Sequence, residues 1–300
     1  MARAPVVPAK SGPIDVPLIK IGETTMWVVG RTQYVFNSMS GRGRRELLYP
    51  SGGRRSRADR AGVLKHDPYA EFCDSITRAP EGSPTLLGIP AAAFHRLMQT
   101  AALDLPNTRK SEIGRMTWIV ADEGAALPVW GVPEFEIIGV RTADLARTPD
   151  MRSHAVMREW CCEVTVQYVV PRLTASACFN LMFAGGWTVG VGDGRQEKGI
   201  LNNGQFAVVP AIPPDAKEAD RARIIASDPP TYSKFFDLQA NAGREMQEAA
   251  MREPTFYNEQ SRLDFEWFQE QLAARGNENL ARQMGLDDLE GVGDDDVAVD

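Results

Sequence analysis

Hydrophobic and polar residues alternate in some stretches of this chain and recur at helical spacing in others. The β-branched segment from Val16 to Gly30 predicts a strand or a hairpin. From Ala91 to Leu105 the apolar residues keep the three-and-four spacing of an amphipathic helix, and Pro90 suits its first turn. These two segments are expected to form the first strand and the first helix of the fold.

The same kinds of pattern recur further along the chain. The segments 115–121 and 127–140 predict strands on either side of a turn at 122–124. Strict alternation from Arg158 to Val170 predicts a strand with one buried face, and Thr174 suits the N-cap of a second helix. A closing strand is expected from Gln205 to Val209.

Stripped of two insertions, this order predicts an α+β fold with a ferredoxin-like (RRM-like) βαββαβ core. A helical C-terminal extension is expected after the core, with amphipathic helices at 235–251 and 257–274. The expected divisions are a flexible arm (1–15), the core (16–210) with a basic insertion (31–85) and a second insertion (122–157), the helical extension (211–285) and an acidic disordered tail (286–300).

One stretch is unusually rich in glycine. Seven of the 26 glycines lie between Ala184 and Phe206. Glycines at this density allow positive φ and let another group approach the backbone closely, and backbone amides with nearby cations suit a polyanion. The spacing fits neither a dinucleotide fingerprint nor a phosphate loop, and the alternative is a connection that binds no ligand. The candidate binding residues here are Gly190, Gly192, Gly194, Arg195, Lys198 and Gly199.

The charge is unevenly placed along the chain. The formal net charge is -7, and the seven acidic residues after Leu286 account for all of it. Eight basic and two acidic residues lie between Gly41 and Lys65, and Tyr34, Phe36 and Tyr49 are interleaved with the arginines. Such a mixture stacks bases and holds phosphates, although it is also typical of an exposed loop with solvated arginines. The candidate phosphate contacts are Arg42, Arg44, Arg45, Arg54, Arg55, Arg57 and Lys65, with Arg141, Arg147 and Arg152 in a loop-like part of the second insertion.

Composition favours a globular protein without a membrane partner. No run approaches the roughly 18 apolar residues of a membrane span, and the N-terminus lacks an apolar signal core. The four cysteines form no CxxC pair, and the adjacent Cys161 and Cys162 should point to opposite faces of their strand. A reduced, cytoplasmic protein is the expectation.

The stretches LLGIPAAAFHRLMQTAA and GVGDGRQEKGILNNGQFAVV together resemble the repeat-associated (RAMP) superfamily of CRISPR proteins. In that family a short strand ending in Ile-Pro leads into a helix packed on the sheet, and a glycine-rich loop before the last strand touches RNA. Ile89-Pro90 and the glycine-rich stretch take these places here.

The resemblance is greatest to the backbone subunits that line up along a guide RNA. It implies a protein of antiviral defence that binds single-stranded RNA, with single-stranded DNA as the alternative, and that forms a homo-oligomer or a multi-subunit ribonucleoprotein. The helical extension, the acidic tail and the neutral body depart from the family pattern and leave room for a phage-borne relative.

Candidate catalytic residues are few. RAMP-type processing nucleases use a histidine as general acid or base, so His66 or His95 would serve a metal-independent endoribonuclease. His154 is the third histidine, and no group of His, Cys, Asp and Glu has metal-ligand spacing. The main prediction is therefore a non-enzymatic binding subunit without cofactor, metal or catalytic residue. The alternatives are that endoribonuclease and a phage single-strand annealing protein.

Overall fold

The computed structural model describes residues 18–38, 48, 66–121, 126–141, 149–198 and 201–283. In these ranges the chain is a mixed α+β fold with two antiparallel sheets and eight α-helices. The arm predicted at 1–15 and the tail predicted at 286–300 lie outside the described residues.

The larger sheet has six strands and carries most of the core. Its order is β3-β5-β8-β1-β9, and β4 pairs with β8 on the side that β5 also occupies. All of these pairings are antiparallel, with Thr24 opposite Val166 in the long β1–β8 ladder. The strands are β1 (Lys20–Gly30), β3 (Gly88–Pro90), β4 (Thr117–Ile119), β5 (Ala126–Trp130), β8 (Cys161–Val170) and β9 (Phe206–Pro210).

Two helices, α2 (Ala91–Ala101) and α4 (Ala175–Thr188), pack together over one face of this sheet and enclose the main core. Both were predicted, and the Thr174 cap is confirmed because its side chain accepts a hydrogen bond from the amide of Ala177. The two helices approach closely at Gly185, where a Cβ atom would lie 2.2 Å from Leu97 Cδ2. Any larger residue at this position would push the helices apart.

The alternation of hydrophobic and polar residues in β8 correctly predicts which of its side chains are buried. Val164 and Val166 are fully buried on the face that α2 and α4 cover. Cys161 and Cys162 do point to opposite faces, because Cys162 belongs to this main core and Cys161 to a smaller cluster on the other side. The sheet is therefore covered on both faces at this end.

A smaller sheet forms from parts of both predicted insertions. Its order is β2-β7-β6, and α1 (Pro68–Ser75) and α3 (Lys110–Met116) are additional helices. The single strand predicted at 127–140 is two strands, because the chain turns at Gly131, whose φ is 154° and where a Cβ would meet Glu159 O at 2.6 Å. The three strands are β2 (Tyr34–Val35), β6 (Glu134–Arg141) and β7 (Pro149–Met157).

The C-terminal extension is helical, as predicted, but its helices have other bounds. The helix predicted at 235–251 is two helices, because the chain breaks at Ala242 and Gly243 caps the second one. Another helix, at Glu218–Ile225, lies before the first helix that was predicted in the extension. Trp27 of β1 stacks on Phe235 with ring centroids 4.1 Å apart, which fixes the extension on the second face of the sheet. The helices are α5 (Glu218–Ile225), α6 (Pro229–Asn241), α7 (Arg244–Arg252) and α8 (Glu259–Gln283).

None of the helices in the described ranges is both long enough and apolar enough to cross a bilayer.

Candidate functional site

A cleft of about 370 Å³ lies between α2 and the loop that follows α4. Pro90, Arg96 and Thr100 line one wall, and residues 189–193 line the opposite wall. Asn37 and Ser38 also line the cleft, and the eight basic residues of the segment 41–65 follow Ser38 in sequence. The cleft therefore brings together α2, the helix that follows Ile89-Pro90 and is called the Ile-Pro helix below, and the glycine-rich stretch, which are far apart in sequence.

The glycine-rich wall of the cleft has the backbone that its composition predicts. Gly190, Gly192 and Gly194 have φ values of 73°, 85° and 62°, in the left-handed region that favours glycine. The group that approaches them closely is the protein itself: a Cβ at Gly192 would meet Val35 O at 2.8 Å, and one at Gly194 would meet Asn203 Nδ2 at 2.6 Å. Packing within the chain alone thus requires glycine at these positions.

Backbone hydrogen bonds hold this wall against β2 and the segment before β9. The amide of Asp193 donates to Val35 O at 3.0 Å, and the amide of Val191 donates to Gly204 O at 3.0 Å. The amide of Gly204 in turn donates to Gln33 O at 2.7 Å. Among the described residues the amide of Gly192 donates no hydrogen bond, and Gly192 lines the cleft, so this amide is a candidate donor to an anionic ligand.

The charged side chains of the cleft are of both signs. The guanidinium of Arg195 donates to Glu197 Oε2 at 3.1 Å and to Gly192 O at 3.2 Å, so it braces its own loop. Arg96 on the opposite wall is exposed and makes no hydrogen bond or ion pair within the described ranges. It is therefore the cation that this cleft can offer to a phosphate without breaking another interaction.

The structure describes only part of the predicted binding set. Gly190, Gly192 and Arg195 line the cleft, Gly194 lies between them in the same loop, and the backbone of Lys198 belongs to a short 3₁₀ turn after them. Arg141 and Arg152 lie in β6 and β7 rather than in a loop, and the Arg152 side chain is half exposed, 3.8 Å from Asp150. The remaining predicted residues lie outside the described residues: Arg42, Arg44, Arg45, Arg54, Arg55, Arg57, Lys65, Arg147 and Gly199.

The expectation that Tyr34 and Phe36 stack bases is wrong. Both side chains are buried, Tyr34 at 4% and Phe36 at 1% exposure, and their rings meet edge-to-face with centroids 4.8 Å apart. Burial also raises the pKa of the Tyr34 hydroxyl well above its usual range. Their apolar surface stabilises the junction between the two sheets and is not available to a ligand. Tyr49 lies outside the described residues.

His66 lies between two carboxylates. Its Nδ1 is 2.6 Å from Glu71 Oε1 on α1, and its Nε2 is 2.9 Å from Asp150 Oδ1 on β7. Both ring nitrogens are thus engaged within the protein, and neither is directed at the cleft as a general acid or base would have to be.

The other two histidines have partners on their own elements or in the core. His95 lies on α2 within 3.2 Å of the Gln99 side-chain nitrogen. His154 is buried, its Nδ1 lies 3.1 Å from Phe36 O, and burial lowers its pKa. We therefore assign no catalytic role to a histidine.

The cysteines do not form a reactive or metal-binding group in the described part of the chain. Burial raises the pKa of Cys161 to about 12 and that of Cys178 to about 11, so these thiols stay protonated near neutral pH. All four cysteines are free thiols. Within the described ranges, no three His, Cys, Asp or Glu side chains are arranged to hold a metal ion.

Sequence reasoning missed Arg96, although its signal was present. Ala92, Ala93, Arg96 and Thr100 recur at helical spacing on the side of α2 that borders the cleft. The small alanines leave room for a ligand, and Arg96 supplies the charge.

The chain matches no family model, and no curated protein sequence is significantly similar to it. Function must therefore be inferred from these residues.

Proposed function

We propose that this protein is a non-enzymatic subunit that binds single-stranded nucleic acid in the cleft, with RNA preferred to duplex DNA. The observation that carries the proposal is the meeting of two distant stretches at one site. The Ile-Pro helix and the glycine-rich loop, whose residues resemble the RAMP superfamily, line opposite walls of the same cleft. A chance resemblance in two separate stretches would not require them to face each other.

The strand order supports a ferredoxin-like core and hence membership of that superfamily. If the short edge strand β3 and the smaller sheet are left out, the strand order is β9, β1, β8 and then β4 with β5. This corresponds to the fourth, first, third and second strands of a βαββαβ unit, and its two helices would be α2 and α4 on one face. The smaller sheet and the C-terminal helices are then additions to this core.

Charge and size also favour a single strand as the ligand. The cleft is in the size range of small-ligand sites, which suits one unit of an extended strand better than a duplex. Arg96 and the Gly192 amide can meet phosphate oxygens, and the eight basic residues of the segment 41–65 follow Ser38 of the cleft in sequence. Binding would therefore depend mainly on the backbone of the nucleic acid rather than on its sequence.

The experiment compares wild type with Arg96→Ala, using labelled RNA, single-stranded DNA and duplex DNA of one sequence in fluorescence anisotropy. We expect wild type to bind the single strands more tightly than the duplex. Arg96→Ala should weaken RNA binding several-fold and should reduce the slope of log affinity against log salt by about 0.7 for each phosphate that the variant no longer neutralises. The matched control is Arg223→Ala, since Arg223 is an exposed arginine on α5, with its side chain at 84% exposure.

The possible outcomes separate the proposed function from its alternatives. Unchanged RNA affinity in Arg96→Ala would show that the cleft is not the site, and no salt-dependent binding by wild type would refute the proposed function. Cleaved RNA would favour the endoribonuclease, and accelerated pairing of complementary strands would favour an annealing protein. Melting temperatures are measured in parallel, because an exposed charge should change stability by less than about 0.5 kcal/mol.

Assembly in repeated copies is the second part of the proposal. A row of subunits along one strand would add protein in proportion to strand length. Light scattering of complexes with a short RNA and with one twice as long should therefore give twice as many subunits on the longer strand. One subunit on both lengths would contradict repeated assembly while leaving binding itself intact.

A further inference from the structure

An exposed tryptophan lies at the end of the helix that leads into the cleft. Trp187 is in the last turn of α4, two residues before Val189 of the cleft wall, and it is 40% exposed. Phe183, one helical turn earlier, is 46% exposed. The buried residues of α4, such as Leu181 and Met182, point the other way, into the core. The two exposed rings are therefore not needed to fill the core.

An arginine covers the ring of Trp187. The guanidinium carbon of Arg31 lies 3.9 Å from the centre of the indole ring. Arg31 is exposed, directly follows β1 and forms no ion pair with a carboxylate among the described residues. Its charge is thus available, and the pair presents a flat, cationic surface to solvent.

One residue holds both halves of this pair in place. The backbone carbonyl of Gln205 accepts from the amide of Arg31 at 2.8 Å, and the Gln205 side chain donates to the carbonyl of Trp187 at 3.2 Å. The hydroxyl of Thr32 accepts from the Gln205 amide at 3.0 Å. Because three separate backbone segments are tied together here, the pair is organised before any ligand arrives.

We propose that Arg31 and Trp187 form a stacking platform for an unpaired nucleobase of the bound strand. This inference rests on the proposed function. It adds a contact to the bases of the nucleic acid, whereas the cleft offers contacts to its sugar-phosphate backbone. Arginine planes and aromatic rings are the surfaces on which single-stranded bases stack, and the stacking is tolerant of sequence because every base has a π-face. The platform adjoins the cleft wall, so a strand held in the cleft has a neighbouring base within the reach of the pair.

The test is a double comparison of protein variant and oligonucleotide. Trp187→Leu keeps an apolar side chain and removes the flat ring, while Trp187→Phe keeps a smaller ring. Each is titrated with a fluorescently labelled RNA and with a labelled strand of equal length that carries abasic sites. We expect Trp187→Leu to bind the RNA about tenfold more weakly, which is about 1.4 kcal/mol, and to bind the abasic strand like wild type.

Two further variants check the role of each partner. Trp187→Phe should recover part of the loss, and Arg31→Lys, which keeps the charge without the plane, should lose affinity for RNA but not for the abasic strand. Trp267→Leu is the matched control, because Trp267 is an exposed tryptophan on α8, 63% exposed. Melting temperatures establish that each variant is folded, and Arg31→Lys alone tests the platform if Trp187→Leu does not fold.

The outcomes distinguish this inference from the proposed function. Equal losses on RNA and on the abasic strand would overturn the platform, because the residues would then act on the backbone or on the fold. RNA binding by Trp187→Leu equal to wild type would also overturn it, while leaving the proposed function standing. If wild type bound neither strand, the proposed function and the platform would fail together.

Discussion

Gln247 joins the helical extension to the core through one buried side chain. It lies on α7 and is fully buried. Its side-chain oxygen accepts from the amides of Leu86 and Leu87 at 2.8 and 3.0 Å, just before β3. Its side-chain nitrogen donates to the carbonyls of Val129 and Gly131 at 2.8 and 3.0 Å. These four bonds join backbone groups next to β3 and at the end of β5 to one buried side chain of the extension.

We expect Gln247→Leu to lower the free energy of unfolding by about 4 kcal/mol. Each hydrogen bond contributes about 1 kcal/mol net, and each buried backbone group left without a partner costs about 1–3 kcal/mol. Leucine has a similar volume, so the added cavity cost is small. For a chain of this size a loss of 1 kcal/mol lowers the melting temperature by about 2 °C, which gives a fall of about 8 °C.

Urea denaturation followed by circular dichroism, together with a thermal melt, measures this loss. The matched control is Gln269→Leu, because Gln269 is exposed on α8 and its replacement should change stability by less than about 0.5 kcal/mol. A loss below about 1 kcal/mol for Gln247→Leu would contradict the role given to this side chain. It would mean that water replaces the side chain, or that α7 does not dock on the core in this way.

Three further substitutions test other parts of the fold. Gly192→Ala should destabilise the protein by about 1–3 kcal/mol, because the φ of Gly192 is 85° and an added Cβ would meet backbone and ring atoms. The control is Gly139→Ala, whose Cβ would meet only Met151 Sδ at 3.8 Å and which should have little effect on the urea midpoint. Because burial lowers the pKa of His154, the folded protein binds fewer protons than the unfolded chain as the pH drops below about 6.5. Stability should therefore fall in this pH range, and urea titrations should show a smaller fall for His154→Gln. Trp27→Ala should remove the stack on Phe235 and cost about 3–5 kcal/mol, with α6 cleaved first in limited proteolysis; uniform resistance of α6 would contradict it.

The sequence predicted those strands and helices whose hydrophobic pattern follows directly from having one face buried in the core. Strict alternation in β8 and helical spacing in α2 were sufficient, because each has one face against the core. The smaller sheet was missed because β2 is only two residues long and is surrounded by polar and glycine-rich sequence. Tyr34 and Phe36 were placed near arginines along the chain, but tertiary packing turns them into the core.

The glycine-rich wall shows a second limit of sequence reasoning. Composition predicted positive φ and a close approach at Gly190, Gly192 and Gly194, and both are present. It could not identify the approaching group, since glycine is needed equally for a ligand and for the chain's own backbone. Likewise, α2 could be predicted from its spacing, whereas the position of Arg96 opposite this wall depends on the packing of α2 against α4.

The residues that flank the basic segment 41–65 in sequence, Ser38 and His66, both contact one helix, α1. The amide of Ser38 donates to Ser75 O at 2.8 Å. The Nδ1 atom of His66 lies 2.6 Å from Glu71 Oε1. Ser38 also borders the cleft, and eight basic residues follow it in sequence between Gly41 and Lys65. If the cleft binds a strand as proposed, basic residues joined to it by so short a stretch of sequence would add salt-dependent affinity through their local concentration, without requiring a fixed contact.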